Sequence, residues 1–101
     1  MIIYSVTVAI EKAFAQDWQE WMLAHHIPEV IATGCFVGYK FHKQLEPAEE
    51  EGFITYNTRY ECESLEKLAM YQQDFAPALQ KDHAARYEGK FKAFRNVYQQ
   101  F

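Results

Sequence analysis

At 101 residues the chain has the size of one ordinary domain and is too short for two. Half of its residues are hydrophobic and 17% are aromatic, which supports a packed core and excludes an intrinsically disordered chain. A formal net charge of −4 argues against nucleic acid as a partner, because gripping a phosphate backbone takes a basic patch.

No apolar run is long enough to span a bilayer, and strand-like residues begin at Ile2 with no charged leader before them. The expectation is a single domain over residues 1–101, cytoplasmic and without membrane contact. Cys35 and Cys62 match no metal or redox spacing and are expected as buried free thiols.

In chain order, Ile2 to Ile10 alternates. Ile2, Tyr4, Val6, Val8 and Ile10 point one way, and Ile3, Ser5, Thr7 and Ala9 the other, which predicts a strand with one apolar and one mixed face. Trp18, Trp21, Met22 and His25 then recur at helical spacing, with Gln16, Gln19 and Glu20 off that face. Pro28 lacks an N–H and disfavours the helical region at Ile27, so the helix is expected to break or kink near His26. A short second segment, Pro28 to Thr33, follows and ends at Gly34 as a left-handed cap.

Cys35 to Leu45 reads as a second strand, with Cys35, Val37, Tyr39 and Phe41 on one face and Phe36, Gly38, Lys40 and His42 on the other. The acidic, proline- and glycine-punctuated stretch Glu46 to Gly52 reads as a turn. Phe53 to Cys62 is the third strand, with Ile54, Tyr56, Thr58 and Tyr60 opposite Thr55, Asn57 and Arg59. Ser64 caps the next helix, in which Leu68, Tyr71, Phe75, Leu79 and His83 keep helical spacing and Pro77 makes a bend. Lys90 to Tyr98 is the fourth strand.

The order is β-α-β-β-α-β, the split arrangement of ferredoxin-like α+β domains: a four-stranded antiparallel sheet with two helices on one face. The other face is then bare, roughly 400 Å² of projected area from strand length and spacing. Ile3, Phe36 and a fourth-strand apolar row make that face half apolar, and pairing two such faces into a homodimer is the economical way to cover it.

Trp18-x-x-Trp21-Met22, His26-Ile27-Pro28-Glu29-Val30 and Ala32-Thr33-Gly34-x-Phe36 resemble a small bacterial family known as a domain of unknown function. Met1-Ile2-Ile3-Tyr4, Cys62-Glu63-Ser64-Leu65 and Ala93-Phe94-Arg95 fit it too. The resemblance implies a dimeric α+β barrel, an architecture shared with cofactor-free monooxygenases of antibiotic biosynthesis, muconolactone isomerases and haem-handling proteins. It implies no activity, since that architecture hosts many functions.

No nucleophile–base pair appears, and His25 and His26 are adjacent, so they diverge on a helix and cannot easily share a metal. No metal and no cofactor is expected. RNA recognition shares the element order, but Glu51 stands before Gly52 where a basic residue is required, and Thr55, Asn57 and Arg59 replace the stacking aromatics. His83 and Arg86 read as a solvated or dipole-compensating pair. The preferred reading is a homodimeric module whose open face serves assembly. The alternative is a small-molecule binder or cofactor-free, monooxygenase- or isomerase-like enzyme using the space between two sheets. In that case a small anionic or carbonyl ligand contacts the open face, with Arg59 supplying charge, Asn57 and His42 hydrogen bonds, and His26 closing one end.

Overall fold

A computed structural model describes residues 1–47 and 51–101; the middle of the acidic stretch expected as a turn, Ala48 to Glu50, lies outside the described residues. Strand β1 (Ile2–Glu11) runs into a single 3₁₀ turn (Lys12–Phe14) and a long helical segment made of α1 (Ala15–Trp21), a π turn (Met22–His26) and α2 (Ile27–Ala32). Strands β2 (Gly38–Lys43) and β3 (Phe53–Cys62) follow, then helices α3 (Leu65–Asp74) and α4 (Ala76–Arg86), then β4 (Phe91–Gln99). The sheet order is β2-β3-β1-β4, and every neighbouring pair is antiparallel.

The alternation along β1 and β3 orients the sheet. Tyr4 faces Tyr60 and Val8 faces Tyr56 across the pair, and these side chains build the core under the helices. Ser5, Thr7, Asn57 and Arg59 fall on the opposite face, beside Lys40 and His42 of β2. The fold is therefore α+β, with helices on one face of a four-stranded antiparallel sheet. None of the described helices is long and apolar enough to cross a membrane.

The helix does not break at Pro28. His26 and Ile27 both keep right-handed helical angles, and the Ile27 N–H bonds five residues back to the Met22 carbonyl. Pro28 has no N–H for the Ala24 carbonyl, and the wider π ring ahead of it lets the chain continue. The extra residue in that turn shifts the inward stripe to Trp18, Met22, His26 and Val30, so His25 is exposed and His26 faces inward. Gly34 ends the segment at φ +78°, as a left-handed cap requires.

Phe36 is also not where alternation puts it. Strand pairing starts only at Gly38, so Cys35 and Phe36 lie in the approach to β2 and both are buried. Phe36 joins Tyr4, Tyr60 and Tyr71 in an aromatic cluster with centroid distances from 4.8 to 6.3 Å. Cys35 and Cys62 are free thiols in the interior, and the Cys62 thiol donates toward the carbonyls of Cys35 and Ser64. The Ser64 hydroxyl accepts from the Lys67 N–H at 3.2 Å, capping α3, and Phe75 then leaves helical geometry so that α4 starts afresh with Pro77 in its first turn.

Candidate functional site

Polar groups gather in two places, one on each side of the sheet. On the open face the Asn57 amide donates to Ser5 Oγ and Thr7 Oγ1, both at 2.9 Å, and Arg59 Nε donates to Asn57 Oδ1 at 3.1 Å. The Arg59 guanidinium also lies over the Tyr98 ring, 5.5 Å from its centroid. His42 borders the same shallow groove of about 520 Å³. Three of the four residues singled out from the sequence thus share one surface. His26 is on the other side of the sheet and is not brought to them.

His26 lines a cleft between the helix-facing side of the sheet and the helices, with about 40 Å³ of interior space. That volume holds roughly three waters at ~10–15 Å³ each. Val6 and Val8 of β1, Met22, Leu79 of α4 and Ala93 of β4 form apolar walls. Tyr4, Thr58, His83 and Arg95 supply polar groups. His26 and His83 rings meet at 5.7 Å, nearly edge to face. Trp21 packs against both, at 5.3 Å from His26 and 5.7 Å from His83.

The Trp18 indole N–H donates to His83 Nε2 at 2.9 Å inside the core. An indole nitrogen only donates, so that Nε2 carries a lone pair, and the neutral ring holds its proton on Nδ1. Burial pushes the His83 pKa down to about 4, helped by the fields of His26 and Arg95. His26 is also lowered to about 4, again mainly by burial, with Arg95 reinforcing the shift and Asp82 opposing it. Both imidazoles are therefore neutral near pH 7. His26 Nδ1 is buried and, among the described residues, has no hydrogen-bond partner. Such orphans are rare in native interiors, and this one faces a space that can supply its partner, a water or a ligand.

Tyr4 closes the cleft toward β4. Burial raises its pKa, while Arg95 and the Gln80 amide, both close to the hydroxyl, pull the other way. Arg86 took no part in this site: it pairs with Asp17 at 3.6 Å and donates to the Tyr87 hydroxyl at the surface. His83, read with it as a solvated or dipole-compensating pair, is buried instead. It continues the apolar stripe Leu68, Tyr71, Phe75, Leu79, and that spacing is the signal that places it inward.

A family model described as a domain of unknown function, DUF4286, matches residues 1–101. The chain belongs to DUF4286. None of the curated proteins compared with this DUF4286 chain matches it in sequence. Among solved structures it is similar to HapK from Hahella chejuensis, at a TM-score of 0.74 and 11% identity over 100% of this chain and 93% of that one. A proposed antibiotic biosynthesis monooxygenase from Deinococcus radiodurans aligns at 0.65 and 12% identity, covering 100% and 93%. A MhuD variant with two manganese protoporphyrin IX molecules bound per active site aligns at 0.64 and 17% identity, covering 97% and 93%. At such identities these neighbours establish the ferredoxin-like fold of the DUF4286 chain and nothing about its chemistry.

Proposed function

We propose that the protein is a homodimer that binds a small carbonyl- or hydroxyl-bearing molecule in the cleft between sheet and helices. The observation that carries this reading is His26 Nδ1, a buried and unpartnered polar atom on the cleft wall. Apolar walls with a few convergent polar atoms suit a small uncharged head group, which the neutral imidazole orients through one hydrogen bond. Binding is favoured over proton abstraction, because an imidazole with a pKa near 4 is a weak base at neutral pH. A porphyrin of the kind named for the MhuD variant does not fit here. The cleft is far below the ~300–1,000 Å³ of typical ligand sites, and Trp18 already occupies the His83 Nε2 lone pair.

In this reading the open face serves assembly. The Asn57 amide is taken up by Ser5, Thr7 and the Nε of Arg59 within a protomer, and the outer edge of the Arg59 guanidinium is left to meet a carboxylate or carbonyl of the second copy. Phe94, 60% exposed, and Tyr98 stand on the same face and give a second copy apolar surface to cover. Sedimentation equilibrium at micromolar concentration is expected to return twice the chain mass, and Phe94→Glu the monomer mass. A monomeric wild-type protein removes the dimer from the proposal.

The cleft is tested by following histidine ring signals by NMR while 2-pentanone is titrated in. The expected result is movement of the His26 and His83 signals, with the exposed His25 and His42 unaffected. If His42 moves and His26 stays, the ligand belongs on the open face with Arg59 and Asn57, and the cleft reading is wrong.

A further inference from the structure

The inner cleft adjoins a second, larger groove across three shared wall residues. That groove holds about 340 Å³ and shares Tyr4, Gln80 and Arg95 with the cleft, adding Gln72, Pro77 and Val97. Among the described residues no aspartate or glutamate lines either space, although acidic residues outnumber basic ones fourteen to ten in the chain. On the two walls, the one charged side chain among the described residues is Arg95. It stands on the helix-facing side of β4, in register with Val6 and between Ala93 and Val97. The ion pairs among the described residues join Lys40 to Glu61, Lys67 to Glu63 and Arg86 to Asp17, and none includes Arg95. A cation held on a strand at the mouth of a mostly apolar cleft, beside the Tyr4 hydroxyl and with no ion-pair partner among the described residues, is poised to meet an anion from outside.

We propose that the ligand is a small oxo- or hydroxy-carboxylic acid whose carboxylate is gripped by Arg95 in the outer groove while its uncharged oxygen enters the inner cleft toward His26. This rests on the cleft reading given above. The wall carries a single positive charge, which matches a monoanion. A phosphate dianion would bring an uncompensated charge into a half-enclosed groove. The planar guanidinium fits two carboxylate oxygens side by side, and the Gln72 and Gln80 amides lie in the same groove. Leu79 and Ala93 line the inner cleft, so a short hydrocarbon spacer should separate the two oxygen functions of the ligand.

The experiment compares levulinate with 2-pentanone, which share a methyl ketone and differ in the carboxylate. Both are titrated into the full-length protein and into Arg95→Gln, with the His26 and His83 ring signals as the readout. Levulinate should bind the wild-type protein about tenfold more tightly, the size of one charge-assisted contact discounted for the exposure of Arg95. In Arg95→Gln the two molecules should bind alike. Equal affinities in the wild-type protein, or a preference that survives Arg95→Gln, overturn the carboxylate assignment and leave the cleft reading standing. Stronger competition by inorganic phosphate than by acetate overturns the monoanion class. If neither ketone moves either histidine, the cleft reading and this assignment fall together.

Discussion

Replacing Trp18 with alanine is expected to lower the free energy of unfolding by about 3–5 kcal/mol, the range for truncating a large buried aromatic. Trp18 is completely buried and packs against Phe41 at 5.9 Å, Tyr56 at 4.9 Å and His83 at 6.2 Å. It links the helical segment, β2, β3 and α4 at one point, so the cavity left behind has walls from four elements that cannot all close on it. Against a typical total of ~5–15 kcal/mol, the loss leaves a marginal protein. Trp18→Phe separates packing from hydrogen bonding. It keeps most of the aromatic volume, frees His83 Nε2, and is expected to cost about 1–3 kcal/mol. Urea denaturation of both variants gives the comparison. An alanine variant within 1 kcal/mol of wild type by that measurement would mean the site collapses far more readily than four converging elements allow.

The sequence made the sheet legible and left the site mostly hidden, for physical reasons. β3 runs from Phe53 to Cys62 as expected, and β1 differs only in reaching Glu11, because strict alternation over ten residues admits one register. Ser64 and Gly34 mark helix ends through chemistry confined to a single turn, and both act as read. His26 was singled out, but alternation and helical spacing describe one element at a time. Whether a side chain reaches a neighbour's groove depends on how layers stack. The π turn is the clearest case. A single added residue rotated His26 inward and His25 outward, and nothing short of the Pro28 geometry signals it. Phe36 moved to the core because its segment approaches the sheet without yet pairing. Arg95 lies on the predicted fourth strand, yet only the packing of α4 beside β4 turns it into the mouth of a cleft.

Acid should destabilise the protein well before its carboxylates are exhausted, and the cause is the histidine pair. His26 and His83 are lowered to about 4 in the folded chain, against 6.5 for an unperturbed imidazole. Above pH 6.5 both are neutral whether folded or unfolded, and the pair makes no pH-dependent contribution. As the pH falls below 6.5 the unfolded chain takes up protons that the folded one refuses, so stability is lost between pH 6.5 and about 4 and levels off below that. At ~1.36 kcal/mol per unit, such a shift is worth at most about 3 kcal/mol for each histidine. The rings face each other at 5.7 Å, and protonating either discourages the other, so they act as a coupled pair. Asp82 is the acid whose field favours charging His26, and Arg95 disfavours charging either ring. Urea midpoints measured from pH 7 to pH 5 avoid most carboxylate titration and should fall steadily for the wild-type protein. His26→Leu should flatten that slope by about half, since one of the two refused protons is gone. An unchanged slope in that variant, or NMR titration midpoints near 6.5 for His26 and His83, would show that both rings reach bulk solvent and that the cleft between sheet and helices is not the buried site described above.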